Sequence, residues 1–456
     1  MRMHTSTWLK RFAPLTLCLL VLGGCSSSDD DGRSPSGDAG TDAGTNLPDD
    51  GGTGTPDGGG GTPDGGPVVT GCMGEAFLTS LGKNRLLVGA QMEDSTAAGA
   101  PFDVHYLYVA SGLVDSTNIC TSCTTGCTTS GTSCAGASCA WWGCWQDVSQ
   151  PPGAYVRGHV SGAKGRQQLP FITYYQQLLG GVGPAREGEQ QLQSLNDVAI
   201  MRRYFADWRF TLQQVGSERA LLHIEPDLWG YLQFFATNGD PATVPAQVAS
   251  ANATDCSGMP NNAVGVSRCM IAMARKYAPN AKVSLHASPW STRTDVYLNT
   301  NASFDIAGEG RKVADFLLKL GAADTDFIVV EAADRDAGFY ESVGEDTWWD
   351  ANNTTLPHFR QAFTWASAIS ERLNKPNFWW QLPVGNMNLP NTHQRWKDNR
   401  VDYFFSHTAE LAAAHSVGFS FGAGEGRQTS PETDNGNLSN RVNAYKRAGG
   451  QAPCAP

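Results

Sequence analysis

The sequence predicts an α/β protein whose parallel strands close into a (β/α)8-type or distorted barrel carrying a disulfide-rich insertion. Two observations predict it. Eight short runs are almost continuously apolar, as strands buried on both faces should be. They are 85–91 (RLLVGAQ), 105–110 (HYLYVA), 169–175 (LPFITYY), 220–225 (ALLHIE), 282–287 (KVSLHA), 326–331 (DFIVVE), 377–382 (NFWWQL) and 417–422 (VGFSFG). Amphipathic stretches of helical spacing separate most of them. A seven-stranded or distorted barrel fits the same runs, because a cysteine-rich stretch obscures the unit after the second. An open doubly wound sheet fits less well, since no Gly-rich phosphate loop follows a strand.

The front of the chain is not part of that fold. Arg2, Lys10 and Arg11 precede an apolar run from Phe12 to Leu22, which ends in Leu22-Gly23-Gly24-Cys25. A helix that spans a bilayer needs about 20 residues, so the run is too short to be one. A basic start, a short apolar core and small residues before a cleavage point make a secretory signal over 1–24. The Cys after two glycines resembles the lipobox of bacterial lipoproteins, and by that resemblance Cys25 carries the lipid. Residues 25–70 are Gly, Asp, Pro, Thr and Ser, with Thr-Pro-Asp-Gly-Gly at 55–59 and again at 62–66. Such a segment buries too little surface to offset its ordering entropy and reads as a disordered tether. Its random-coil span is roughly 35–40 Å.

The folded part is expected over 71–456. The chain has a net charge of −11, and the tether holds nine Asp between 29 and 64 against Arg33 alone. The domain is therefore only mildly acidic, and no basic stripe interleaves with aromatics. Nucleic acid is not an expected partner. No later apolar run has the length of a membrane span. The expected contact with a membrane is the lipid alone, on an exported monomer anchored to the cell envelope.

Of twelve cysteines, Cys18 leaves with the signal and Cys25 takes lipid, so ten remain in an oxidising compartment. They read as up to five disulfides. Six of them (Cys120, Cys123, Cys127, Cys134, Cys139, Cys144) crowd a Thr/Ser/Gly-rich loop over 118–146. A zinc site is the alternative there, given Cys-x-x-Cys at 120–123. Cys256 and Cys269 bracket a loop and are placed to pair locally. Joining Cys72 to Cys454 would clasp the two ends of the domain.

Helices are expected at Asp197–Val215, Val266–Tyr277, Arg311–Leu320 and Leu356–Leu373. The first carries Val198, Met201, Tyr204, Phe205, Trp208 and Leu212 at helical spacing, with Asn196 or Asp197 as its cap. Gly321 and Pro376 stop the last two.

In such barrels the chemistry sits at the C-terminal ends of the strands. Those ends hold Tyr174 and Tyr175; Glu225, Asp227 and Trp229; His286 and Trp290; Glu331 and Asp334; Trp380 and Gln381; and Glu425. This is a rim of carboxylates, aromatics and amides. Sugars stack their C–H faces on aromatic rings and bond their hydroxyls to acids and amides. Glycosidic cleavage then needs two carboxyl groups flanking the bond. The catalytic candidates are Asp227, Glu225, Glu331 and Asp334; the others are substrate-binding candidates. Metal is the competing chemistry, through His223, His286, His393 or His407. No His-x-His or His-Glu-x-x-His pair occurs, so no metal and no cofactor are expected. A serine nucleophile would lack its Gly-x-Ser-x-Gly elbow.

The segment 220–227, ALLHIEPD, resembles the second signature of family-six glycoside hydrolases, cellulases that cut β-1,4-glucan with inversion. There an apolar strand ends in Ile-Glu-Pro-Asp and the aspartate is the general acid. The resemblance implies that role for Asp227 and a distorted parallel barrel; Glu331 or Asp334, across the barrel, is the candidate base. It covers about seventy residues, from Leu169 to Trp290, and its most specific part is the four of 224–227. Where the family carries an Asp-Arg-Asp-Cys motif that supports the acid, this chain reads Tyr175-Gln176-Gln177-Leu178-Leu179. The leading expectation is a surface-anchored glycoside hydrolase acting on a polysaccharide or oligosaccharide. A non-catalytic carbohydrate-binding lipoprotein on a degenerate barrel is the alternative, and an adhesive protein worked by its cysteine loop is a third.

Overall fold

The computed structural model describes residues 72–110, 127–129, 132–134, 153–177, 188–333 and 335–454. The expected signal, Cys25, the tether and most of the cysteine-rich loop lie outside the described residues, as does Asp334. Eight parallel strands close into a barrel. They are β1 (Leu87–Ala90), β2 (Val104–Val109), β3 (Leu169–Tyr174), β4 (Leu221–Ile224), β5 (Lys282–Ala287), β6 (Phe327–Glu331), β7 (Asn377–Leu382) and β8 (Ser416–Phe421). Each pairs with its neighbours in chain order, and β8 closes on β1. All eight expected strands are present. Within the cysteine-rich stretch, the backbone of Cys127–Thr129 pairs antiparallel with Thr132–Cys134.

The interior fills from the bottom. Leu87, Val104, Leu169, Leu221, Phe327 and Val417 meet Phe77, Leu78 and Leu81, the last three from the helix Met73–Ser80 and the turn after it. Above them Phe171 packs edge-on to Phe378 at 5.3 Å. β1 and β2 pack tightly. A Cβ on Gly89 would lie 2.7 Å from Val104 Cβ, so β1 and β2 approach this closely only with glycine there. Outside the barrel, Tyr204, Phe205, Trp208 and Leu212 of the helix Val198–Val215 join Ile172, Tyr174, Leu222 and Ile224 in the larger apolar layer.

The helix ends follow local chemistry. Asp197 caps Val198–Val215 by accepting from the N–H groups of Ala199 and Ile200 at 2.8 and 2.9 Å. The helix expected from Val266 starts earlier, at Ala263, because Asn262 caps it. That expected from Arg311 starts at Ile306, because Asp305 caps it. That expected from Leu356 starts later, at Phe359, because Pro357 precedes the cap His358. Gly321 ends one helix in the left-handed region, at φ 100°. Two disulfides are present among the described residues, Cys72–Cys454 and Cys256–Cys269. The first joins residues 382 apart in sequence and clasps the ends of the domain. Among the described residues no helix is long and apolar enough to cross a membrane.

Candidate active site

Alternation along each strand decides what reaches the barrel mouth. On β3, Tyr174 points outward. Its hydroxyl donates to Asp207 Oδ2 at 2.9 Å and its ring packs 4.7 Å from Trp208. It is a wall residue and not a sugar contact, which corrects the expectation. Tyr175, one residue on, points inward, and its hydroxyl donates to Asp227 Oδ2 at 2.7 Å.

Beyond β4 the backbone leaves regular strand geometry. Glu225 and Asp227 have φ of 50° and 64°, and Gln381 in β7 has 53°. Each such left-handed conformation costs about 1–3 kcal/mol and persists only where packing enforces it, as at functional sites. The twist separates the two acids. Glu225 is fully buried, and Oε1 accepts from the N–H groups of Gln176 and Gln177 at 3.0 and 3.2 Å. Burial pushes its carboxyl up to about 8, although these N–H groups and the Tyr204 hydroxyl pull the other way. Glu225 therefore ties down the segment after β3 and is out of reach of a substrate, which corrects its place among the catalytic candidates. Asp227 is half-buried and faces the mouth.

Across the mouth stands Glu331, at the end of β6, its side chain 12% exposed. His286 lies beneath both acids. One polar atom each from Asp227, His286 and Glu331 lies within 4.8 Å of the other two. His286 Nε2 is 3.7 Å from Glu331 Oε1, and His286 Nδ1 is 3.1 Å from His223 Nε2. Burial lowers both imidazoles, His223 well below its ordinary value and His286 to about 4 despite the charge of Asp227. Both rings are neutral near neutral pH. His286 was expected to touch sugar; being 1% exposed, it meets the carboxylates from below instead.

The aromatic residues are more enclosed than expected. Trp229 is core, its Nε1 donating to the Ile224 carbonyl at 2.7 Å, so it is not a sugar platform. Trp380 fills the upper barrel, edge-on to Tyr108 at 5.6 Å and to His223 at 4.8 Å. Trp290 packs on Tyr231 at 4.6 Å against the helix Leu228–Phe235. Gln381 accepts from the Tyr108 hydroxyl at 2.5 Å. Glu425 accepts from Gln428 and Arg427; burial works against its ionisation, but these bonds win and hold it below its ordinary value. Asp334 lies outside the described residues. Sequence reasoning passed over Tyr108, Thr173 and Tyr297. For the first two the signal was present: each sits two residues from an interior position on its strand. Tyr297 is fully buried, and burial with the nearby Glu331 drives its hydroxyl well above the ordinary range.

Of the four histidines weighed as metal ligands, His286 alone meets two carboxylates. One imidazole and two carboxylates make a donor set that divalent cations accept. His223 spends both ring nitrogens on hydrogen bonds, to Thr173 and His286. His393 is exposed, and His407 stacks on Tyr403 at 3.7 Å on another part of the surface layer.

No protein-family model matches this chain, and no curated protein matches it. Its barrel is similar to solved barrels of low sequence identity. A family 26 endo-β-1,4-mannanase from Cellulomonas fimi is 10% identical, with a TM-score of 0.44 over 82% of this chain and 74% of that one. A family 5 mannosidase from Rhizomucor miehei is 10% identical, with a TM-score of 0.41 over 80% and 92%. The endoglucanase Cel6 from Mycobacterium tuberculosis is 12% identical, with a TM-score of 0.26 over 53% and 62%. These neighbours are glycoside hydrolases of several families, and they do not single out family six.

Proposed function

We propose that this chain hydrolyses glycosidic bonds of a polysaccharide, with Asp227 and Glu331 as the carboxyl pair. The observation that carries the reading is their separation, within 4.8 Å between nearest oxygens at the mouth of the barrel. Inverting enzymes space their carboxyl groups about 6.5–9.5 Å apart to admit a water, whereas retaining ones hold them at about 5–5.5 Å. The spacing supports retention, and so departs from the inversion that the family-six resemblance implies.

Cleavage needs one of the two carboxyl groups protonated and the other ionised. Asp227 takes the acid role and Glu331 that of nucleophile. The Glu331 oxygen attacks the anomeric carbon while the glycosidic C–O bond breaks, and Asp227 gives its proton to the departing oxygen. The Asp227 carboxylate then takes a proton from water. That water's oxygen attacks the anomeric carbon, frees Glu331 and restores the acid. Export and lipid attachment through Cys25 belong to the same reading, and the two disulfides, which form in oxidising compartments, support the export.

The test is a comparison of Asp227→Asn and Glu331→Gln on polysaccharides and on aryl glycosides with good leaving groups. Glu331→Gln should lose hydrolysis of both. Asp227→Asn should lose the polysaccharide by roughly a hundred- to ten-thousand-fold but keep much of kcat/KM on the aryl glycoside, with its kcat lowered because the base of the second step is gone. The anomer first released should retain its configuration. Wild-type protein that binds polysaccharides and releases no reducing ends from a broad panel would overturn the reading in favour of a binding protein.

A further inference from the structure

Four consecutive strands each send one polar side chain into the upper barrel. Thr173 Oγ1 of β3 lies 3.3 Å from His223 Nδ1 of β4. His223 Nε2 lies 3.1 Å from His286 Nδ1 of β5, and His286 Nε2 lies 3.7 Å from Glu331 Oε1 of β6. The line climbs toward the mouth with the stagger of the strands. Thr173 pairs in register with His223. His286 stands two residues beyond Ser284, the partner of His223, and Glu331 two beyond Val329, the partner of His286. Thr173, His223 and His286 are buried, and Trp380 lies edge-on to both rings.

A neutral imidazole carries one N–H, so a contact between two neutral rings needs one donor and one acceptor. The line can therefore run in only two directions. Run downward, His286 Nδ1–H donates to His223 Nε2, and His223 Nδ1–H donates to Thr173. That leaves a bare lone pair on His286 Nε2 facing Glu331, whose Oε1 lies 3.7 Å from it, in the cluster that also holds Asp227. A lone pair against an ionised carboxylate is repulsive, and more so where water is excluded. Run upward, Thr173 donates to His223 Nδ1 and each ring donates from Nε2. The line then ends in an N–H aimed at Glu331.

The geometry points to a one-way hydrogen-bond line, Thr173 to His223 to His286, whose last N–H is aimed across 3.7 Å at Glu331, so that the two histidines are positioning residues for the nucleophile. Its catalytic meaning rests on the hydrolase reading above; its direction does not. The terminal N–H, 3.7 Å from Oε1, is too far for a hydrogen bond in this structure and acts on Glu331 through its partial charge, favouring the ionised form.

The deciding experiment is nitrogen NMR of the full chain with 15N-labelled histidine at neutral pH, where ring shifts distinguish the two tautomers. His223 and His286 should both be Nε2–H tautomers, and the His286 signals should move in Glu331→Gln. An Nδ1–H tautomer at His286 overturns the line and makes Nε2 a ligand atom for a cation. The activity arm uses His223→Phe, which cuts the line, and His223→Gln, whose amide supplies both an acceptor and a donor. His223→Phe should lower kcat on the order of 10- to 100-fold with little change in KM, the scale of other hydrogen-bonded outer shells. His223→Gln should recover most of it. Full activity in a folded His223→Phe, with Glu331→Gln inactive, removes the positioning role and spares the hydrolase reading. A wild type with the expected tautomers and no hydrolysis removes the hydrolase reading and leaves the line. If His223→Phe does not fold, the wild-type tautomers still decide.

Discussion

Tyr175 and Asp227 are joined by a 2.7 Å hydrogen bond from the phenol to Oδ2, which ties the end of β3 to the turn after β4. Asp227 sits at φ 64°, a conformation that side chains rarely adopt, so its direction depends on such ties. The Oδ2 oxygen is thereby held toward β3.

Tyr175→Phe should therefore weaken the acid without removing it. A hydrogen bond of this kind is worth roughly 0.5–1.5 kcal/mol, a loss of up to about tenfold in kcat. The loss should be larger on polysaccharide than on aryl glycosides whose leaving groups need no proton. Steady-state kinetics on the two substrate classes check this, and equal losses on both would mean that Tyr175 serves binding instead.

Glu225 predicts a pH dependence of stability. Its carboxyl stands at about 8 in the folded chain against an ordinary 4.5. The folded state thus binds the extra proton between those values. The contribution is fully present below about 4.5 and is lost as pH rises through about 8. Glu225→Gln keeps a neutral acceptor for Gln176 and Gln177, so its melting temperature should fall less between pH 5 and pH 8 than that of the wild type. Asp336 and Asp434, raised to about 7 and about 6, act in the same direction in both proteins, so the difference isolates Glu225. Parallel melting curves would sink this account. Glu225→Ala should be destabilised at every pH, by about 1–3 kcal/mol for each buried N–H left unpaired.

The clasp Cys72–Cys454 closes almost the whole domain into one loop. Cys72→Ser with Cys454→Ser should lower stability by about 2–4 kcal/mol, the usual worth of a native disulfide. Denaturant unfolding measures it. The opened variant should keep its barrel, because every strand pairing lies inside residues 87–421.

Cys25 as the lipid attachment site predicts that Cys25→Ser moves the protein from the membrane to the soluble fraction. Fractionation with detection of the intact chain is the measurement, and an unchanged membrane fraction removes the anchor.

The strand runs 282–287 and 377–382 coincide with β5 and β7 to the residue, because a strand buried on both faces has to be apolar throughout. The Asp197 cap and the left-handed Gly321 were legible for the same reason, as local backbone chemistry that depends on few neighbours. The pairings Cys72–Cys454 and Cys256–Cys269 follow from position along the chain once a closed domain is assumed. The site was legible only as a set of candidates. Asp227 and Glu331 were among them, but so were Glu225, Tyr174 and Trp229, which turn out to hold the wall. A single residue of offset or a positive φ sends a side chain to the other face of a strand, and no periodicity records it. The line from Thr173 to Glu331 was invisible for a different reason. Its members are 158 positions apart in number, and the stagger of four strands in a closed barrel lifts each one to the level of the next. The sequence alone determined which residues are apolar enough to build the barrel. Only the closed sheet, by fixing register and tilt, decided which polar side chains meet at its mouth.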